Sequence, residues 1–264
     1  MTVRAAFLAL FLIAASLPVS AAESVLTLTP RPGVTLRVLT DRPAAPVGSI
    51  VLMAGGDGVL DLDTQGNIGS GLRENHLVRT RAAYAKAGYA VFVPDIASDQ
   101  RGTRGYRFTA NYANDVAAVI AEARKVAPPV AIVGTSRGSL PAVAVFTKQS
   151  AVRPDAAVIS SGTLIGNEGG GSASSLGDLG RINVPVMLLR HRLDSCRVSA
   201  PADADRFKAL LAGAPKVDIV TLEGGGPRSS GAEPCGASHY HGFYGIDDQA
   251  VAATVQWLHT NMRR

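Results

Sequence analysis

Strand-like and helix-like segments alternate along this chain, and that alternation constrains the fold more than any other feature of the sequence. The run at 49–54 is continuously apolar, which is typical of a strand buried on both faces. Seven strands are predicted, at 36–39, 49–54, 89–93, 130–133, 156–160, 184–189 and 217–222. Five helices are predicted, at 75–87, 111–126, 140–148, 201–211 and 247–262. This order predicts an α/β fold with a mostly parallel sheet and helices on both faces.

The composition excludes several other classes of protein. Of the 264 residues, 47% are hydrophobic and only 18% are charged, which supplies a large core and excludes a disordered chain. The net charge of +5 is compatible with nucleic-acid binding. However, lysines and arginines are scattered singly or in short pairs, and aromatic residues make up only 5% of the chain. We therefore expect no nucleic-acid partner.

The first 21 residues have the pattern of a secretory signal peptide. Arg4 precedes an apolar run at 5–17, and small residues follow at 19–22. The run is too short to span a bilayer about 30 Å thick, although an uncleaved anchor is the alternative. We expect residues 1–21 to be removed and residues 22–264 to form one domain without a stable membrane span. The mature protein would then be secreted or periplasmic.

The chain has two cysteines, Cys196 and Cys235. Two thiols cannot by themselves complete a zinc site, and the sequence contains no C-x-x-C motif. In an oxidising compartment a single disulfide between them is expected. Two buried free thiols are the alternative.

The motif that carries chemistry is Gly134-Thr-Ser-Arg-Gly138, a G-x-S-x-G sequence. A predicted buried strand ends just before it and a predicted helix begins just after it. In that context the glycines permit a sharp turn that lifts the hydroxyl of Ser136 above the sheet. The sequence therefore predicts Ser136 as a nucleophile.

On these residues the chain resembles the α/β-hydrolase family, over nearly all of the expected mature chain. The family order of nucleophile, acid and base implies an Asp or Glu after Ser136 and then a His. Asp194 follows a predicted buried strand, which matches the acid position; Asp178 and Asp155 are weaker candidates. Little sequence separates the strands at 156–160 and 184–189, so we expect a minimal cap or none.

His241 is the expected base, and His239 is the second choice. Both lie after the last predicted strand and before the last predicted helix. His241-Gly-Phe resembles the His-Gly-Phe of dienelactone-hydrolase and prolyl-oligopeptidase relatives. His191 precedes Asp194 in the chain and so breaks the family order, which favours a structural role.

The resemblance also implies an oxyanion hole, a pair of donors for the negative charge that develops on the substrate oxygen. One donor is the amide of Arg137, the residue after the nucleophile. The other should come from the loop at 55–58, with Gly56 and Asp57 as candidates. The Arg137 side chain has two interpretations: it pairs with Asp57, or it selects an anionic group on the substrate.

Other functional motifs are absent. The segment at 61–72 begins like a calcium-binding loop but ends in Leu72 rather than Glu. No dinucleotide fingerprint and no H-E-x-x-H motif occur, so we expect neither cofactor nor metal.

The sequence therefore predicts a secreted serine hydrolase. We expect it to cleave small-molecule or polymeric carboxylic esters through an acyl-enzyme intermediate. The alternatives are a serine peptidase, a thioester or lactone hydrolase, and a non-catalytic protein of the same fold that binds a ligand.

Overall fold

The computed structural model describes residues 23–103, 105–148, 151–166 and 171–262. Its centre is an eight-stranded sheet in the order β1-β2-β4-β3-β5-β6-β7-β8. The strands are β1 Ser24–Arg31, β2 Val34–Asp41, β3 Gly48–Met53, β4 Tyr89–Pro94, β5 Val130–Thr135, β6 Ala156–Ser160, β7 Val186–His191 and β8 Val217–Leu222. The β1–β2 and β2–β4 pairs are antiparallel, and every other pair is parallel.

Helices cover both faces of the sheet. They are α1 His76–Arg79, α2 Arg81–Lys86, α3 Ala110–Val126, α4 Ser139–Thr147, α5 Asp203–Lys208 and α6 Asp247–Asn261. Apolar side chains of α3, α4 and α5 pack in one buried cluster, and those of α1, α2 and α6 pack in the other. The expected fold class is confirmed.

The central strand β5 shows why the sequence forms this arrangement. All six of its residues are buried, as a strand between two helical layers requires. Because side chains alternate between the faces, Ile132 packs in the α3–α4 cluster while Val133 packs in the α1–α6 cluster. The carboxyl ends of β3, β5, β6 and β7 meet at one edge of the sheet, where the candidate site lies.

The structure departs from the expected elements most clearly at two places. The helix expected at 75–87 is divided into α1 and α2 at Thr80, whose hydroxyl donates to the His76 carbonyl. The antiparallel strand β1 was not expected, because it lies at the edge of the sheet, none of its residues is fully buried, and the segment lacks the continuous apolar run that is typical of the buried strands.

The expected signal peptide lies outside the described residues. Within the described ranges, no helix combines the length and the apolar character that crossing a membrane requires.

Candidate active site

Ser136 lies in a turn that only glycines permit at 134 and 138. Its φ angle is +52°, a left-handed conformation that costs free energy in a residue with a side chain. A Cβ atom at Gly134 would lie 2.4 Å from the Gly138 carbonyl oxygen, and one at Gly138 would lie 2.1 Å from the Met53 oxygen. The turn therefore passes directly from β5 into the helical segment that continues as α4.

Asp194 and His241 lie side by side. Asp194 follows β7, and His241 lies in a short 3-10 turn, Tyr240–Gly242. The Nδ1 atom of His241 is 2.9 Å from Oδ2 of Asp194, and both residues are buried. The carboxylate also accepts a hydrogen bond from the Cys196 amide, at 2.9 Å from Oδ1. These contacts favour the tautomer in which Nδ1–H donates to Asp194 and Nε2 carries a lone pair.

The Nε2 atom of His241 is buried and has no hydrogen-bond partner among the described residues. No hydrogen bond joins it to Ser136. The atom that a general base would use is therefore unoccupied by any other group of the protein.

Ser199 is a further member of this group that sequence reasoning missed. Its hydroxyl donates to Oδ2 of Asp194 at 3.0 Å and lies 2.9 Å from Nδ1 of His241. No motif distinguishes Ser199 from the other serines of the chain; only its position in the fold brings it to the Asp–His pair.

The other two candidate histidines have different surroundings. His239 is not hydrogen-bonded to Asp194: its Nδ1 is buried without a partner, and its ring lies edge-on to Tyr240. His191 is fully buried and stacks on Tyr240 at 4.7 Å. Its Nδ1 accepts the Leu193 amide and its Nε2 faces the Gly224 carbonyl at 2.8 Å, so both nitrogens are engaged in structural contacts.

The loop at 55–58, called here the glycine loop, runs beside Ser136. A Cβ atom added to Gly55 would lie 3.1 Å from the Cβ of Ser136, so only glycine fits without movement. Within the described part of the chain, the amides of Gly56 and Asp57 donate no hydrogen bond. They are therefore available to a substrate oxygen.

A buried arginine orients this loop. The Arg107 guanidinium is 3% exposed and donates to the carbonyls of Ala54, Gly55 and Gly56 at 2.7, 3.3 and 3.1 Å. The Tyr106 hydroxyl donates to the Asp57 carbonyl. In a planar trans peptide the N–H points opposite to the C=O. Carbonyls that face Arg107 therefore turn the amides of Gly56 and Asp57 away from it.

A cleft of about 550 Å³ opens next to the glycine loop and Arg137. Its lining is Asp57, Val59, Ile96, Gly102, Thr103, Gly105, Tyr106, Arg107, Phe108 and Arg137.

The side chains of Asp57 and Arg137 form no ion pair with each other. Asp57 instead accepts the Val59 amide at 3.0 Å, and the Nε of Arg137 is buried without a partner. Burial also raises the pKa of Tyr106 to about 12.

The expected disulfide between Cys196 and Cys235 is present. Cys196 lies in the loop that carries Asp194, and Cys235 lies in the segment that leads to His241. The bond therefore links the loop that carries Asp194 to the segment that leads to His241.

Arg79 also holds the segment that carries His241, through hydrogen bonds. Its guanidinium donates to the carbonyls of Ala237 and Gly242 at 3.2 and 2.6 Å, and to Asp247 at 2.9 Å. Next to it, the buried His76 lies 2.9 Å from Asp247 and packs against the ring of Phe243. Burial lowers the pKa of His76.

Among the described residues, no group of three or more His, Cys, Asp or Glu side chains is arranged to hold a metal ion.

Comparison with known proteins finds similarity in structure but not in sequence. No protein-family model matches it, and no curated protein matches it in sequence.

Solved structures do match. An esterase of Pyrococcus furiosus is 12% identical with a TM-score of 0.61, over 92% of this chain and 93% of its own. Thermogutta terrifontis esterase 2, phosphorylated by paraoxon, is 16% identical with a TM-score of 0.60, over 89% of this chain and 93% of its own. An α/β-hydrolase enzyme from a Medee basin deep-sea metagenome library is 15% identical with a TM-score of 0.57, over 91% and 98%. The chain has the α/β-hydrolase fold.

Proposed function

We propose that this protein is a serine hydrolase that cleaves carboxylic esters. The observation that carries the proposal is the buried Asp194–His241 hydrogen bond of 2.9 Å, which leaves Nε2 of His241 free. This pair lies at the sheet edge where the G-x-S-x-G turn presents Ser136. The three side chains follow the chain order of the fold's hydrolases.

In the proposed reaction, Oγ of Ser136 attacks the ester carbonyl carbon while Nε2 of His241 takes its proton. The charge on the carbonyl oxygen is stabilised by the amides of Arg137 and of Gly56 or Asp57. The imidazolium then gives its proton to the alcohol oxygen, which leaves, and the acyl group remains on Oγ. Water, activated by the same nitrogen, releases the acid and restores Ser136.

Asp194 keeps His241 in the required tautomer and stabilises the imidazolium that forms. Ser199 hydrogen-bonds to both partners and so holds them in register. Ester substrates are favoured because two of the neighbours above are named esterases.

Active-site labelling provides the first test. A fluorophosphonate probe should label the wild-type protein, and Ser136→Ala should abolish labelling and reduce ester turnover by at least about 10³-fold. Ser139→Ala tests the neighbouring hydroxyl, which donates to the Ser136 carbonyl. The Ser139→Ala variant should still be labelled by the probe. A wild-type protein that is not labelled would favour the non-catalytic alternative.

A substrate panel provides the second test. Para-nitrophenyl esters of increasing acyl length, a thioester, a lactone and peptide para-nitroanilides should be compared by kcat/KM. Esters should exceed anilides by at least about 10²-fold. A reversed order would assign the protein to the peptidases.

We also propose that residues 1–21 are a cleaved signal peptide and that the protein acts outside the cytoplasm. The Cys196–Cys235 disulfide supports this, because such bonds persist in oxidising compartments. Expression of the full chain in a Gram-negative host should give a periplasmic protein whose N-terminus is at position 22 or 23. A cytoplasmic protein that retains its first 21 residues would contradict the proposal.

A further inference from the structure

The cleft next to the glycine loop and Arg137 is lined by more positive than negative charge. Two guanidinium groups line it, those of Arg107 and Arg137, against one carboxylate, Asp57. Arg107 directs its donors to backbone carbonyls of the glycine loop and has no acidic partner within the described residues. Its charge is therefore not neutralised locally.

Arg137 has even fewer contacts. Its side chain is half-buried, its Nε has no hydrogen-bond partner, and no ion pair to it occurs within the described ranges. An arginine held in this way has lost part of its hydration without a protein acceptor in exchange, which costs free energy unless a ligand supplies one.

Asp57 does not compensate this charge. Its side chain is exposed, and its Oδ1 accepts the Val59 amide as the cap of a tight turn. The cleft therefore has a net positive charge one residue from the nucleophile.

We propose that Arg137 binds a carboxylate carried by the ester substrate. This inference rests on the proposed ester hydrolysis and names the class of ester. A guanidinium presents a planar array of donors that matches a carboxylate, and the apolar walls formed by Val59, Ile96 and Phe108 strengthen the interaction by excluding water. Because Arg137 follows Ser136, the carboxylate is held close to the ester bond that is cleaved.

Matched ester pairs test the proposal and locate the carboxylate. In the acyl arm, para-nitrophenyl hemiglutarate is compared with its neutral methyl ester. In the alcohol arm, para-acetoxybenzoate is compared with methyl para-acetoxybenzoate. The wild-type protein should prefer the anionic member of at least one pair by about tenfold or more in kcat/KM, mainly through KM. Added salt should reduce the preference.

Arg137→Gln should reduce kcat/KM for the preferred anionic ester at least about tenfold more than for its neutral partner, which removes the preference. Arg137→Lys should restore part of it, since the charge returns without the planar donor array. The matched control is Arg206→Gln, which removes the same charge from an arginine 68% exposed on α5. It should leave the preference unchanged.

Two results would overturn the proposal. The first is a wild-type protein that is labelled by fluorophosphonate and hydrolyses neutral esters, but shows no anionic preference in either arm; the serine hydrolase assignment would then stand. The second is an equal loss on both members of the preferred pair in Arg137→Gln. A wild-type protein that is neither labelled nor active would instead overturn the hydrolase assignment, and the carboxylate proposal with it.

Discussion

Ser136, the proposed nucleophile, and the Asp194–His241 pair are held by different means. Around Ser136 the constraints are backbone contacts: Gly134 approaches the Gly138 carbonyl within the turn, and Gly138 approaches the Met53 carbonyl at the end of the neighbouring strand β3. Around His241 they are side-chain contacts between segments distant in sequence. Arg79 donates to the Gly242 carbonyl from α1, and the Cys196–Cys235 bond joins residues that are 39 positions apart.

This difference predicts how the Ser136 turn and the Asp194–His241 pair, the two halves of the site, each respond to substitution. A backbone turn is intolerant of a single added methyl group but does not depend on side chains elsewhere. A pair held by a disulfide and distant hydrogen bonds depends on each of those contacts. The glycine loop is intermediate, because its backbone is oriented by one buried side chain, Arg107.

The largest effect on activity should come from His241. His241→Ala removes the proposed base and should lower kcat by about 10³-fold or more. His239→Ala should cost less than about tenfold, because the His239 ring makes no hydrogen bond to Asp194. Steady-state kinetics on a para-nitrophenyl ester measures both. A greater loss in the His239 variant would identify it as the base.

The next largest effect should come from Arg107. Arg107→Gln cannot bond all three carbonyls that the guanidinium reaches, so the amides of Gly56 and Asp57 lose their fixed direction. We expect kcat to fall by about 10²-fold with little change in KM, in the range seen when an oxyanion-hole donor is lost.

The variant also leaves buried carbonyls unpaired, so its unfolding must be measured in parallel. Arg107→Lys retains the charge and part of the bonding, and should recover part of kcat. If the two variants are equally destabilised but both retain wild-type kcat, Arg107 supports only the fold.

The sequence predicts the local half of this site better than the distant half. The G-x-S-x-G motif, the strand before it and the helix after it lie within 20 residues, so their periodicity and glycines place Ser136 directly. The strand at 217–222 was likewise predicted with its observed bounds, because its residues have high strand propensity between loops.

The contributions from distant segments could be identified only from the folded structure. Arg79, Arg107 and Ser199 reach the site from segments that contain no catalytic motif, and nothing in their neighbouring residues marks them. Asp57 and Arg137 both line the cleft but form no ion pair, and only side-chain placement distinguishes that arrangement from the expected alternative. For Cys196 and Cys235 the pairing was predictable because the chain contains no other cysteine.

The disulfide should have a smaller effect on activity than either side chain. Its removal leaves Arg79 and the Asp194–His241 bond in place, so we expect kcat to fall by about tenfold. Closing a loop of 39 residues stabilises the folded state by about 4 kcal/mol in the chain-entropy description, so Tm should fall as well. The double variant Cys196→Ala/Cys235→Ala, measured by kinetics and thermal unfolding, tests both expectations.

A control separates loss of the bond from loss of the Cys196 side chain. The wild-type protein treated with a reductant retains both residues and should show the same fall in kcat. If the reduced protein keeps its activity and Tm, the bond does not restrain the Asp–His pair.

The smallest effect, a pH-dependent one, should come from His76. Burial lowers the pKa of this side chain, whereas in the unfolded chain it should titrate near its reference value of about 6.5. Below that pH the unfolded state binds one proton more than the folded state, so the free energy of unfolding falls as the pH falls. A folded state that binds no proton at His76 would lose about 1.4 kcal/mol at pH 5.5, which is the upper limit for this group. Urea unfolding at pH 7.5 and pH 5.5 should show this loss in the wild type and not in His76→Gln. Mutation of the exposed His259 on α6 to Gln is the control and should retain the full loss.

Because His76 packs on Phe243, two residues from His241, mild acid should loosen the Asp194–His241 pair before the Ser136 turn. Equal pH dependence in wild type and His76→Gln would show that another group controls it.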